Sequence, residues 1–223
     1  MTIKISIPGE PSEKTYMKLS ILILFFLIFY YYQNDNRHSI TFDCTSNLLP
    51  FVVFLLAATV ILSTRVQKGI FTILLLNLLA GPLHMMSHHK LYISALSSIG
   101  ASPSHDAEHH DSGVNKNTLP ILKEVFYNVF GVGLFWFPLT YFYLDLWICL
   151  LWGIWYSSFH NVNQRLRPEI HEYHHINKDV NLGPDYMDIL LHTKGNDSCE
   201  NMNTGILNIL VVTCTLYLIK LRI

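Results

Sequence analysis

The alternation of apolar and histidine-rich segments constrains this chain more than any other feature. Apolar runs at 48–63 and 69–83 are followed by a polar stretch, 84–119, that carries six histidines. Two further runs, 120–137 and 142–159, are followed by a second polar stretch, 160–203, that carries five. A helical hairpin that crosses a bilayer twice returns to the side it left, so both histidine-rich stretches should emerge together as one cap over the helix ends. The first two runs give roughly 23 Å of helix each against a hydrocarbon core of about 30 Å. They therefore span only if the helix continues beyond the apolar run or the bilayer thins.

Composition agrees with a membrane protein: 51% hydrophobic residues, 14% charged and a mean hydropathy of +0.31. A net charge of -1 without a basic stripe argues against a nucleic-acid partner. Residues 1–18 read as a disordered polar arm. Residues 19–47 read as a membrane anchor and loop, because bulky Tyr30, Tyr31 and Tyr32 stand where a cleavable signal needs small residues. A membrane domain carrying the histidine-rich stretches is expected over 48–203 and an apolar C-terminal helix over 204–223. Cys44, Cys149, Cys199 and Cys214 form no CxxC pair, which predicts neither a disulfide framework nor a thiolate zinc site; Cys149 and Cys214 read as core residues.

The histidines fall into boxes. His84, His88 and His89 follow directly on the 69–83 run; His105, His109 and His110 come next; His160 stands alone; His171, His174 and His175 form an HxxHH box. Gaps of three and four residues put rings on one side of a helix turn. Neutral imidazole is the commonest protein ligand for transition metals. A single histidine is usually a surface residue, but three doublets with a further ring just upstream point to a metal site. Ligand type alone permits iron, zinc or copper.

The closing segment runs His171-Glu-Tyr-His174-His175, then Asn181-Leu-Gly183, then Asp188 five residues before Thr193. With the order of the boxes, over roughly residues 48–194, it resembles the fatty acid hydroxylase/sterol desaturase superfamily of membrane di-iron enzymes. The middle box departs from that pattern, with three residues rather than two before its doublet. His192 stands where the family has glycine and so by resemblance is not a ligand.

The resemblance implies an all-α integral membrane protein, with transmembrane helical hairpins and a histidine-rich helical cap around a dimetal site. It implies two iron ions, with zinc an alternative occupant, and O2 as co-substrate, used to hydroxylate or desaturate a C–H bond of a lipid. The expected ligands are His84, His88, His105, His109, His110, His160, His171, His174 and His175, with His89 as a further candidate. Asp106, Glu108, Glu172, Asp185 and Asp188 are candidates to orient them, and Asn181 and Gly183 to shape the turn after the last box. No dinucleotide or haem motif is present, so an external electron donor is expected; in eukaryotic relatives this is cytochrome b5 with its reductase, at the endoplasmic reticulum. The competing reading is a metal-transporting or metal-binding membrane protein without catalysis. Such a protein should carry ionisable ligands inside its spans, whereas these histidines gather at the ends of apolar runs.

Overall fold

The computed structural model describes residues 11–21, 48–87, 143–166, 168–177, 179–196 and 198–223, and among them there is no strand. Residues 13–21 are helical (α1). They are followed by α2 (Leu48–Leu62), α3 (Val66–Ser87), α4 (Leu146–Leu166), α5 (Pro168–Ile176), α6 (Asp185–Leu191) and α7 (Met202–Lys220). The described residues are all-helical in their regular structure, as expected.

Four of these helices build the body. On α2, Phe51, Leu55, Ala58 and Leu62 recur at three- and four-residue spacing. They pack against Ile148, Leu151, Trp155 and Phe159 of α4 and Ile209, Val212 and Leu216 of α7. Gly205 lets α7 approach closely, since a Cβ there would lie 2.9 Å from the Phe159 ring and 3.1 Å from the Phe51 ring. Asn208 of α7 and Ser158 of α4 add a 2.7 Å hydrogen bond across the same interface. The outer faces stay apolar: Val53 and Val60 on α2, and Leu207, Val211 and Leu218 on α7, are exposed. The helix α7 is long and apolar enough to cross a membrane, with a mean hydropathy of 1.7 over its best window.

Hydrogen bonds fix which helix ends lie together. Asp145, just before α4, accepts from the amide and hydroxyl of Thr64 in the α2–α3 turn, both at 2.6 Å. Lys220, at the end of α7, reaches the carbonyls of Leu62 and Ser63 in that same turn. We call this the turn end. At the opposite end, the cap end, the Asn201 amide before α7 donates to Asn163 near the close of α4. Phe51, at the start of α2, meets Tyr186 of α6 there. Helices α3 and α4 therefore both run toward the cap end, antiparallel to α2 and α7.

The helices also outrun their apolar segments. The run ending at Leu83 belongs to a 22-residue helix that reaches Ser87, and the run ending at Phe159 belongs to a 21-residue helix that reaches Leu166. Residues 84 and 160 thus lie on helical extensions past the apolar stretches, at the cap end.

Two expectations need correction. Residues 13–18 are not a disordered arm: Ser12 caps them through the Thr15 amide, and Tyr16 is fully buried against Phe71 and Leu144. Cys199 is disulfide-bonded, and Cys214 is exposed rather than in the core. Spacing along the chain could reveal neither, because both depend on which segments meet in space.

Candidate metal centre

Three of the expected ligand side chains are described, and all three lie at the cap end. His160 extends from α4, while His174 and His175 sit on α5, a helix opened by Pro168 at its first position, where a missing amide proton costs nothing. The rings of His174 and His175 stand edge to face, with centroids 6.2 Å apart. His160 Nε2 is enclosed, and burial pushes its imidazole down to about 4, with His174 and His175 near enough to add to the effect. His160 is therefore neutral at physiological pH, the state a metal ligand requires. On α4 its ring continues a ladder in which Trp152 stacks on Tyr156 at 4.8 Å and Tyr156 on His160 at 6.4 Å.

His174 is almost wholly buried, and its Nδ1 lies 2.7 Å from the Val180 carbonyl oxygen. A carbonyl only accepts, so Nδ1 donates and the lone pair is left on Nε2. A metal-binding histidine is commonly fixed in this way. The carbonyl comes from the turn that follows the HxxHH box, which explains why that turn matters to the site.

The turn itself is over-determined. Asn181 adopts φ 52°, the left-handed region that asparagine tolerates. Its amide donates to the Thr193 carbonyl, its side-chain nitrogen to the Ile170 carbonyl of α5, and its side-chain oxygen accepts from Gly195. Gly195 is needed there because a Cβ would lie 2.5 Å from Val180 and 2.7 Å from Tyr173. Asp188 accepts from the amides of Leu182 and Gly183 and from the Thr193 hydroxyl. Burial nevertheless raises its carboxyl to about 7. Asp185 pairs with Lys194 at 2.6 Å and accepts from the Glu200 amide, while Glu200 accepts from the Asp185 amide. Burial and the neighbouring Asp185 hold the Glu200 carboxyl well above its usual range. Tyr186 donates to Asn77 of α3, which couples this cap to the body.

Asp185 and Asp188 therefore act one step further out than expected, and Asn181 works in the same turn. Their side chains hold the turn, and the turn's Val180 carbonyl orients His174. Glu172 is exposed on α5. The sequence gives no sign of the roles of Val180, Lys194, Glu200 and Tyr186; nothing about a backbone carbonyl, or a lysine well downstream of the HxxHH box, marks it.

His84 and His171 are placed by backbone alone, on the last turn of α3 and within α5, and their side chains lie outside the described set. A Cβ on Gly81, three residues before His84, would lie 3.7 Å from Leu191 and 4.0 Å from Leu182, so α3 ends against the same turn. His88, His89, His105, His109, His110, Asp106 and Glu108 lie outside the described residues, as do residues 120–137. Among the described residues no three His, Cys, Asp or Glu side chains form a ready metal-holding group. Comparison of the chain with protein-family models, characterised proteins and solved structures finds no match.

Proposed function

We propose that this protein is a multi-pass membrane oxidoreductase of the fatty acid hydroxylase/sterol desaturase type, which uses O2 and a histidine-bound di-iron centre to oxidise a C–H bond of a lipid. The observation that carries the reading is that His160, His174 and His175 lie near enough past the apolar stretches to feel one another's charge, with His174 aimed by the Val180 carbonyl. The donor set suits a metal: the lone His160 ring is held neutral by burial, His174 is locked in a single tautomer, and the backbone puts His84 and His171 at the same end.

In this reading His84, His160, His171, His174 and His175, with the histidines at 88–110, hold two iron ions. Bound iron supplies the oxidising power that an unactivated C–H bond demands. The chain's own part is positional. Asn181, Asp188 and Thr193 keep the turn rigid, and the turn keeps the His174 ring in one orientation. Trp152, Tyr156 and the α4 extension hold His160, and the apolar exterior brings an acyl chain or a sterol to the cap from within the bilayer. Reducing equivalents come from a separate donor. A transporter reading has less support, since the described histidines sit at helix ends and not along a span.

Metal analysis of detergent-purified protein tests the proposal, with wild type beside His174→Ala. Iron bound by the wild type and mostly lost in the variant, followed by an oxidised lipid product after reconstitution with a reductant, is the expected result. Carefully handled wild type that takes up no metal would overturn it.

A further inference from the structure

Along α4 the side chains at every fourth position from Trp152 to His160 form a stack of rings. Trp152 lies on Tyr156 with centroids 4.8 Å apart and planes 7° from parallel, and Tyr156 lies on His160 at 6.4 Å and 16°. Residues four apart on a helix are neighbours, so the order of residue types along α4 is the order of rings in the stack. Both distances belong to aromatic rings in contact. Eight residues of helix carry the stack about 12 Å, from the candidate metal ligand at the cap end back into the body. It ends there on Trp152, which is half-buried.

Packing alone explains rings in contact, as where Trp155 stacks on Phe159 at 5.6 Å on the neighbouring face of α4. That pair ends on a phenyl ring, which resists oxidation. The stack from Trp152 to His160 differs in chemistry: indole and phenol are among the side chains that most readily give up one electron, and the last ring belongs to the candidate metal centre. The protons on the stack are held in place. Among the described residues Trp152 Nε1 is buried and has no hydrogen-bond partner. The Tyr156 hydroxyl donates to the Leu182 carbonyl oxygen at 3.4 Å. A carbonyl accepts a hydrogen bond but does not take the proton, so an electron can leave this stack without one.

We propose that Trp152 and Tyr156 form an electron relay that protects the metal site when oxygen is activated with no lipid C–H bond in reach. The inference rests on the di-iron reading above and deepens it. One electron leaves the Trp152 indole, crosses the Tyr156 and His160 rings, and reduces the oxygen-activated iron centre by one unit. No bond forms or breaks at the indole, which keeps its N–H proton and is left as a radical cation. One electron from the external donor restores it. Without this supply the oxidising equivalent falls on the nearest rings, which are the histidine ligands.

The test uses the full chain in detergent, loaded with iron and exposed to O2 and ascorbate without lipid. Peptide mass spectrometry then reads oxygen addition at each tryptophan. Trp147 is half-buried as Trp152 is, but lies at the turn end, and so reports oxidants that diffuse freely. Trp152 is expected to be oxidised several-fold more than Trp147, and neither is expected to react in zinc-loaded protein. Tyr156→Phe keeps the ring and removes the hydroxyl. It is expected to lower Trp152 oxidation several-fold and to raise oxygen addition at His160 and His174, while Tyr156→Trp, which restores an oxidisable ring, recovers the wild-type pattern. Equal oxidation of Trp147 and Trp152, or a Trp152 yield that Tyr156→Phe leaves unchanged, would overturn the relay while leaving the metal reading intact. Wild type that binds no iron, or binds it without consuming O2, would overturn the reading on which the relay rests.

Discussion

The Thr193 hydroxyl donates to Asp188 Oδ1 at 2.6 Å, across the five-residue interval that separates them in the chain. The same carboxylate accepts from Leu182 and Gly183, so one side chain closes the turn from both strands of the loop. The Asp and Thr noted in the sequence thus serve one another, and serve the histidines only through Val180. Asp188→Ala leaves buried donors unmatched and is expected to cost about 2–3 kcal/mol, read as a lower melting temperature in detergent together with reduced iron retention.

The ionisation of Asp188 gives a pH signature. Its carboxyl rises from 3.8 to about 7 on folding. Between these values the native state holds a proton that the unfolded chain releases. The contribution is therefore complete below the lower value and is lost as pH climbs through the upper one. Wild-type melting temperature plotted against pH should carry this fall, and Asp188→Asn should be flatter over the same interval. A variant curve parallel to the wild type would contradict the assignment.

Gly205 tests the close approach of α7. Gly205→Ala places a methyl group 2.9 Å from Phe159, and the two rings cannot both withdraw; a loss of about 1–3 kcal/mol is expected from such overpacking. Gly81→Ala meets its nearest atom at 3.7 Å and should be neutral or slightly stabilising. Parallel thermal melts of the two variants decide the matter.

Asp145 ties three elements at the turn end: Thr64 donates to its carboxylate twice and the Trp147 amide once, at 3.1 Å, while its own amide donates to the Thr72 hydroxyl of α3. Asp145→Ala removes the cap of α4 and the clamp on the α2–α3 turn, at about 2–3 kcal/mol. Because the lesion lies at the far end of the bundle, purified folded variant should bind iron as the wild type does. A metal-free but folded protein would show that the two ends are coupled.

Tyr186→Phe removes the donor to Asn77 Oδ1, which lies in a buried residue of α3. The expected cost is about 1–3 kcal/mol. The more telling readout is faster loss of iron on dialysis, since this bond links the α6 turn to α3 and to the residue-84 end.

Much of the architecture was legible in the chain. Helices α2, α3, α4 and α7 fall on the apolar runs at 48–63, 69–83, 142–159 and 205–219, because stretches of that length satisfy their own backbone hydrogen bonds as helices. The positive φ of Asn181 followed from residue type. What escaped notice depends on distant contacts: Tyr16 looked like part of a polar arm until Phe71 and Leu144 covered it, and Cys199 looked isolated because no second cysteine is near in sequence. The carboxylates at 185 and 188 looked like partners for imidazoles, since charge and proximity in the chain cannot show that Lys194 and Thr193 reach them first.

The helix α7 is fastened twice, at Asn201 to Asn163 and at Lys220 to Leu62 and Ser63. Between those fastenings its nineteen residues measure about 28 Å. A strut pinned at both ends neither tilts nor slides to suit its surroundings. If α7 serves as the span proposed above, its length is set by the protein, and a thicker bilayer would have to thin around it.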